Sequence, residues 1–438
     1  MEQQKQSRIT SWLSGASAGQ FSIYAMGFAF ATYFCMYAFR KPFGAATFEG
    51  LEFLWGINLK TAFVIGQIIG YTLSKYYGCK YCSEINRNQQ AKALVLMIVI
   101  AEAALLGFAL LPGNLKVLAI FINGLPLGMV WGLVSRYLEG RKTAELLFAG
   151  LSCSYIVASS SVKTIGGWAM EAGVTEFWMP ATVGAIFFIP FVIAVFFLNQ
   201  LPEPSTADIS SRSERTVMDS GGRSTFFRQF MGGMIMLLVL YFFLTAYRDV
   251  RDMYMPEVFK VLGYGPSPTL FSQADWPIAF GIMVVMALLN LAKDHRRGLT
   301  AVFAVMMSGM LLMGGATVLM DLEVINGLWW MILVGFGAYL AYVPFGAVLF
   351  ERIMASTKAA GTAVFAIYLS DAIGYTGSVG MQLYKDLGQS ELDYYQFLRL
   401  FTYGMAILGT VLFALSGVYF LRKAKDASSA LDGKQEAA

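Results

Sequence analysis

The sequence predicts an all-α membrane protein with about twelve transmembrane helices in two related six-helix halves. Of its 438 residues, 57% are hydrophobic and only 14% are charged, whereas a soluble domain carries roughly 25% charged residues. The apolar residues fall into about a dozen stretches, and a helix needs roughly 20 such residues to span a bilayer. One long polar segment divides these stretches into two sets of six.

That polar segment, at 201–225, is charged and rich in Pro, Ser and Gly, so we interpret it as a linker. We therefore expect an N-terminal bundle at 1–200, a cytoplasmic linker at 201–225, a C-terminal bundle at 226–425 and a cytoplasmic tail at 426–438. The predicted spans are 21–39, 59–78, 92–112, 116–137, 145–168 and 178–199 in the first set, and 229–248, 274–292, 299–320, 326–350, 360–383 and 397–421 in the second.

The distribution of Lys and Arg in the short loops predicts the orientation of the chain. Most of the 32 basic residues fall on one side of the membrane if the N-terminus is cytoplasmic, and basic loops are typical of that side. We expect both termini in the cytoplasm of a bacterial inner membrane and a monomer surrounded by lipid bilayer. A net charge of +4 does not indicate a nucleic-acid partner.

An internal repeat supports the two halves. Tyr33–Arg40 reads YFCMYAFR at the end of span 1, and Tyr241–Arg248 reads YFFLTAYR at the end of span 7, with four of eight positions identical. Two six-helix halves of the same topology are typical of the major facilitator fold, whose substrate site lies between the halves near the middle of the membrane.

Arg40 and Arg248 end the two repeated segments and are the first candidates for a binding site. A guanidinium stays charged and presents a planar fork that matches phosphate or carboxylate oxygens. Two such forks facing a central cavity, without an intervening protein carboxylate, predict a site for an anion. The alternative is that both side chains only reach the outer membrane surface.

Four further charges lie inside predicted spans, where each costs about 3 kcal/mol on insertion scales. Lys75 faces the cavity or reaches the cytoplasmic surface, and Glu102 lies in the middle of span 3. Asp371 either takes part in proton coupling or pairs with Lys75, and Lys163 is expected to pair with Asp275. For most of these charges we expect structural pairing.

Arg251 follows Arg248 by one helical turn, and Asp249 and Asp252 flank it. We expect these carboxylates to neutralise Arg251 locally. Tyr37 and Tyr247 either line the predicted cavity or pack in the bundle.

The sequence predicts no metal site, no cofactor and no enzyme. Cys79 and Cys82 have a spacing that metal sites use, but there is no second such pair, and His295 is the sole histidine. No nucleophile and base stand in a recognisable motif.

Several short motifs, spread over five predicted helices, occur together in this sequence. An aromatic-rich turn followed by Arg-Lys-x-Phe ends helix 1, as YAFRKPF from Tyr37. The other motifs are Ser74-Lys75 in helix 2, Gly124, Gly128, Met129, Trp131 and Arg136 in helix 4, Arg248, Asp252 and Pro256 in helix 7, and Lys358–Ala363 before helix 11. In these positions the chain resembles the organophosphate:phosphate antiporters, major facilitator transporters that include the bacterial glycerol-3-phosphate and hexose-phosphate transporters.

The resemblance implies that Arg40 and Arg248 bind a substrate phosphate with Lys75 nearby, and that inorganic phosphate exchanges for a phosphate ester by alternating access. The chain departs from the glycerol-phosphate type at helix 5, where SCSYIVASS from Ser152 holds no histidine, and in the loop after helix 2, where only Ser83-Glu84 follows Lys80. These departures leave the substrate and the coupling ion open.

The sequence thus predicts a secondary transporter of a small anionic solute, such as phosphate or an organophosphate, working by antiport or with proton coupling. Two alternatives remain. One is a transporter of a non-phosphorylated solute such as a sugar, a peptide or a drug. The other is a transporter-like sensor that signals through the segment at 201–225.

Overall fold

The computed structural model describes residues 7–54, 57–139, 141, 143–204, 208, 226–265, 267–292, 294–357, 363–388 and 391–435. The described residues are mainly helical, and their only β pairing is an isolated bridge between Glu52 and Asn58. Most of the predicted linker, and the Lys358–Ala363 motif up to Thr362, lie outside the described residues.

The chain divides into two compact units. The first comprises Met1–Ser213 and Pro266–Gln273, and the second comprises Glu214–Gly265 and Ala274–Ala438. The helices, in chain order, are α1 Arg8–Gly15, α2 Ala18–Tyr37, α3 Leu59–Glu84, α4 Arg87–Leu110, α5 Leu115–Leu138, α6 Ala144–Glu171, α7 Met179–Leu198, α8 Met231–Met253, α9 Met255–Val261, α10 Thr269–Asn290, α11 His295–Asp321, α12 Gly327–Pro344, α13 Phe350–Thr357, α14 Ala363–Leu383 and α15 Tyr394–Gln435.

Nine helical segments among the described residues are long and apolar enough to cross a membrane. Three further long helices, α2, α3 and α14, have 20, 26 and 21 residues. Within the described part of the chain this gives twelve long helices, six before the predicted linker and six after it, as the spacing of the apolar stretches predicted. The chain is therefore an integral membrane protein.

The two units repeat the same helix pairings. In the first unit, α2 packs against α6 and α7, and α4 packs against α5 and α7. In the second unit the helices of matching order, α8 with α14 and α15, and α11 with α12 and α15, pack in the same way. The internal repeat seen in eight residues of sequence therefore extends through the architecture of each half.

Glycines allow α3 and α5 to approach closely. A Cβ atom at Gly124 would meet the backbone oxygen of Gln67 and lie 2.9 Å from the backbone nitrogen of Tyr71. One at Gly128 would meet the backbone oxygen of Tyr71 and lie 2.7 Å from the Cβ of Ser74. Small residues let membrane helices touch through their backbones, and here they bring the face of α3 that carries Gln67, Tyr71 and Ser74 against α5.

The hydropathy pattern missed the short helices α1 and α9, and it ended the last helix too early. Helix α1 begins after Ser7, whose hydroxyl caps it, and Thr10 donates a hydrogen bond of 3.0 Å to the backbone oxygen of Gln200, just after the end of α7. Helix α15 continues to Gln435, through most of the predicted tail at 426–438. An apolar pattern marks only the part of a helix that is inside the membrane, so a polar extension gives no signal.

Gly128→Ala should destabilise the first unit by about 1–3 kcal/mol, the usual cost of overpacking a tight interface. Gly27→Ala is the matched control, because no atom lies within 4 Å of a Cβ atom at that helical position. The control should be neutral or stabilising, since Ala is the better helix former. Thermal unfolding of the two variants in detergent would measure the difference, and equal melting temperatures would contradict the packing argument.

Candidate functional site

Arg40 lies in a turn that the sequence forces on helix α2. The helix ends at Tyr37, and the backbone nitrogens of Arg40 and Lys41 both donate to the Tyr37 oxygen, at 3.0 and 2.9 Å. Pro42 then starts a short 3-10 helix, Pro42–Ala45. Proline has no backbone N–H and cannot make the next helical hydrogen bond, so the chain leaves the α-helix here. This turn sets the direction of the Arg40 side chain.

Two buried amides hold this turn. Gln67 donates a hydrogen bond of 2.9 Å to the backbone oxygen of Arg40 and one of 2.8 Å to the Asn123 side chain. Asn123 in turn donates 3.0 Å bonds to the backbone oxygens of Phe39 and Ala101. Gln67 is 3% exposed and Asn123 is fully buried, so these bonds are made in a low-dielectric interior, where they are strong.

The Arg40 guanidinium is buried against aromatic rings. Its Cζ lies 3.8 Å from the ring centre of Tyr71 and 5.9 Å from that of Tyr37. The ammonium of Lys75 lies 5.5 Å from the same Tyr71 ring. A cation over an aromatic face gains about 2 kcal/mol or more where water is excluded. Arg40, Tyr37 and Lys75, which the sequence analysis selected, therefore share one cluster around Tyr71.

Gln67, Tyr71 and Asn123 were missed by the sequence analysis. A signal for two of them was present, because Gln67, Tyr71 and Lys75 follow one another at intervals of four residues and so share one face of α3. Asn123 in span 4 gave the same kind of signal, since a polar amide in an apolar helix needs a partner.

Arg248 has a different environment in the second unit. Its Cζ lies 4.3 Å from the ring centre of Tyr342, and its side chain is 14% exposed. Its Nη2 also donates to the Asp249 carboxylate at 2.8 Å, and Ser378 donates to the other Asp249 oxygen at 2.7 Å. The expected absence of a protein carboxylate beside the arginines is thus wrong for Arg248. A buried carboxylate requires a cationic or hydrogen-bonding partner, and the adjacent arginine supplies one.

The sequence analysis predicted that the neighbouring carboxylates neutralise Arg251, and this prediction is wrong. The Arg251 guanidinium donates bonds of 2.9 and 3.0 Å to one oxygen of Asp275, and both groups are 2% exposed. It also donates to the backbone oxygen of Met331 at 2.8 Å. Arg251 points away from its own helix towards α10 and α12, so this ion pair is a structural tie within the second unit.

The remaining predicted residues of the second unit have clear contacts. Asp371 accepts a hydrogen bond of 2.9 Å from Tyr241, whose ring stacks on Tyr342 at 5.2 Å. Tyr247 is fully buried, and its hydroxyl is 2.9 Å from that of Thr402. Tyr247 therefore packs between α8 and α15, and we leave it out of the proposed site.

Two intramembrane charges of the first unit lie outside the Tyr71 cluster. Lys163 is fully buried on α6, 5.7 Å from the Phe271 ring. Glu102 lies on α4 against Gly184 of α7. The predicted pairs Lys163–Asp275 and Asp371–Lys75 stay predictions.

A cavity of about 580 Å³ is present at the start of α11. None of the predicted site residues lines it. Its lining residues are Asp294, His295, Arg296, Arg297, Thr300, Ala355, Ser356 and Ala424. Among the residues that the structure describes, no group of three or more His, Cys, Asp and Glu side chains is placed to hold a metal ion.

Comparison with known sequences identifies the family of this chain. Residues 42–423 match the family described as "Family of unknown function (DUF5690)". No curated protein sequence matches the chain.

Similar solved structures include a bacterial homologue of the human drug peptide transporters PepT1 and PepT2, with a TM-score of 0.59, 11% identity and coverage of 93% of this chain and 99% of that one. The D-xylose-proton symporter has a TM-score of 0.60 and 14% identity, with coverage of 91% of this chain and 97% of that one. A mutant of the nucleoside transporter NupG has a TM-score of 0.61 and 13% identity, with coverage of 90% of this chain and 99% of that one. The chain has the major facilitator fold.

Asn123→Ala should lower the free energy of unfolding by about 1–3 kcal/mol for each buried polar group left without a partner. It removes the donor for the Phe39 and Ala101 oxygens and the acceptor for Gln67. Asn114→Ala is the control, because Asn114 is exposed and its side chain does not cap α5. Thermal unfolding would compare them; an Asn123 variant as stable as the control would mean that the amide does not hold the turn.

Proposed function

The chain belongs to the DUF5690 family, a family of unknown function, and we propose that it is a secondary active transporter of a small anionic solute. The major facilitator fold supports transport by alternating access, in which each half holds part of the binding machinery. The two arginine clusters support an anionic cargo. We further propose that it acts as a monomer in a bacterial inner membrane with both termini in the cytoplasm.

The observation that carries the proposal is the position of Arg40. This side chain is 5% exposed, stacks on Tyr71, and its backbone oxygen is fixed by Gln67. Burying a guanidinium in a membrane protein costs several kcal/mol. A binding role accounts for a cation that the fold both buries and holds in one orientation.

A phosphate-bearing solute suits this site best. The ring of Tyr71 covers one face of the Arg40 guanidinium, whereas hydrogen bonds form in the guanidinium plane, where two parallel bonds can reach one phosphate or carboxylate. Lys75, beside the same ring, adds a second positive charge. Together with the resemblance of the helix 1 and helix 7 motifs to the organophosphate antiporters, this favours a phosphate ester or inorganic phosphate, in antiport or with protons.

Transport requires that the bound anion change the balance between inward-facing and outward-facing states. A ligand shifts that balance only by its difference in affinity for the two states. In the second unit, Arg248 already has an internal anion in Asp249. A solute anion that competes with Asp249 for Arg248 would provide such a difference, because Arg248 would exchange one partner for the other during the cycle.

The same ion pair supports a second candidate, transport of a solute without a phosphate group. If Asp249 permanently neutralises Arg248, the second unit offers no net positive charge, and a neutral or zwitterionic solute is then the better cargo. The two candidates differ in one measurement. Millimolar inorganic phosphate should raise the melting temperature of the protein if it is an anion transporter, since a ligand stabilises the state it binds. It should leave the melting temperature unchanged if the solute has no phosphate group.

Arg40→Lys should weaken binding of phosphate or a phosphate ester about tenfold or more, because one charge-assisted hydrogen bond of the fork is worth about 1.5–3 kcal/mol. The charge is kept, so the fold should survive. Binding is measured by thermal shift and by calorimetry with inorganic phosphate and glycerol 3-phosphate.

Arg228→Lys makes the same substitution at an exposed position of the second unit and should leave binding unchanged. Equal affinities in the wild type and the Arg40 variant would remove Arg40 from the binding site.

Asp249→Asn should strengthen phosphate binding several-fold, because it removes the negative charge that competes for Arg248. The asparagine oxygen can still accept from Arg248 at the same place, which limits the loss of stability. The same titrations would measure the effect. Unchanged or weaker phosphate binding in a folded Asp249 variant would favour the second candidate, in which this pair is structural.

A further inference from the structure

Glu102 is a carboxyl group in an apolar part of the first unit. It lies ten residues after Lys92 on α4, and no other ionisable side chain occurs between Lys92 and Leu110 at the end of this helix. The segment is long and apolar enough to cross a membrane. Glu102 therefore lies well inside the span rather than at its end.

Within the described part of the chain, this carboxyl has no hydrogen-bond donor that would stabilise a negative charge. Its Oε2 is buried without a hydrogen-bond partner, and Glu102 has no hydrogen bond or ion pair with any residue that the structure describes. The carboxyl occupies the notch left by Gly184 on α7: a Cβ atom there would meet Oε2 and lie 3.2 Å from the ring of Phe39. A side chain at position 184 would displace the carboxyl.

Among the described residues, no cation forms an ion pair with Glu102. Helix α7, Met179–Leu198, carries no charged residue. On α5 the two basic residues lie at opposite ends, and each bonds to backbone oxygens: Lys116 to those of Phe108 and Ala109, and Arg136 to those of Cys82 and Ile85. In the turn after α2, the Arg40 guanidinium is stacked on Tyr71.

We propose that Glu102 is a proton-binding site, which holds a proton while it lies in the Gly184 notch and releases it to water when the notch opens. A bare carboxylate among apolar groups costs several kcal/mol, whereas a neutral carboxyl loses much less. Deprotonation therefore favours a conformation in which Glu102 reaches water. The proton passes between the carboxylate and water, so no other reactant is needed.

This site is linked to the Arg40 turn by direct contacts. The Phe39 ring borders the notch, and Asn123 bonds both the Phe39 oxygen and the oxygen of Ala101, the residue before Glu102. A movement of Glu102 out of the notch alters the packing of Phe39 and hence the turn that carries Arg40. We assign to Glu102 the coupling of proton movement to anion transport; this role rests on the proposed function, whereas proton binding in the notch does not.

The first test labels the protein with dicyclohexylcarbodiimide, a hydrophobic reagent that adds to protonated carboxyls within membranes. It takes the carboxyl proton, bonds to the carboxyl oxygen and rearranges to a stable N-acylurea. Glu102 is partly exposed on the bundle surface, so the reagent can reach it. At pH about 7 a glutamate in water is almost entirely ionised, so labelling of Glu102 should exceed that of the exposed Glu323 by at least about tenfold, and should fall towards pH about 9.

Peptide mass spectrometry reads the label, and Glu102→Gln should abolish it without loss of melting temperature, because glutamine resembles the protonated acid in shape and charge. Gly184→Ala, which fills the notch, should reduce the labelling. Labelling of Glu102 no greater than that of Glu323, or a clear loss of stability in the Gln variant, would overturn the assignment of a protonated carboxyl.

The second test measures coupling in proteoliposomes. An imposed pH gradient should drive uptake of the phosphate compound that binds best to the wild type, and Glu102→Gln should lose this drive while keeping anion affinity in the thermal-shift assay. Uptake that responds equally to the gradient in both proteins would refute the coupling role. If the wild type binds no anion yet Glu102 is labelled, the proposed function fails and the proton site stands.

Discussion

The structure depends on how an apolar bundle tolerates charge. A charged group in a membrane protein is stable only where other groups replace the water it has lost. Arg251 obtains a carboxylate and a backbone oxygen, Arg248 obtains a ring and the carboxylate of Asp249, and Arg40 is stacked on the ring of Tyr71. The first arrangement is an internal tie, whereas a ring leaves the plane of the guanidinium to hydrogen-bonding partners. The buried Asp275 carboxylate therefore marks Arg251 as a structural arginine.

The Arg40 cluster follows from helix packing. Glycines on α5 let it touch the backbone of α3 at Gln67 and Tyr71, and these two residues hold the oxygen and the guanidinium of Arg40. Close packing, hydrogen bonding and cation binding are thus successive contacts along one face of α3. A change at Gly124 would reach the arginine through this face, although the two residues need not touch.

The acidic residues of the spans differ in the same respect. Asp249, Asp275 and Asp371 each accept a hydrogen bond from a donor side chain of the second unit. Glu102 lies against Phe39 and a glycine instead. A donor stabilises the charged form of a carboxyl, whereas the charge of a carboxyl without one depends on whether water reaches it. This difference, rather than depth in the membrane alone, marks Glu102 as the proton site.

The sequence alone determined the membrane class, the six-and-six division of the spans and the major facilitator fold, because apolar length and repeat order are properties of the chain. It also selected Arg40 and Lys75 as candidates, since a charge in an apolar stretch is visible in the sequence, and the structure places both beside the ring of Tyr71. The tertiary structure decided the partners: that Arg251 pairs with Asp275, and that Asp249 accompanies Arg248. Contacts between distant helices fix the first pair, and side-chain direction decides that Asp249 pairs with Arg248 and not with Arg251. Local residue patterns encode neither.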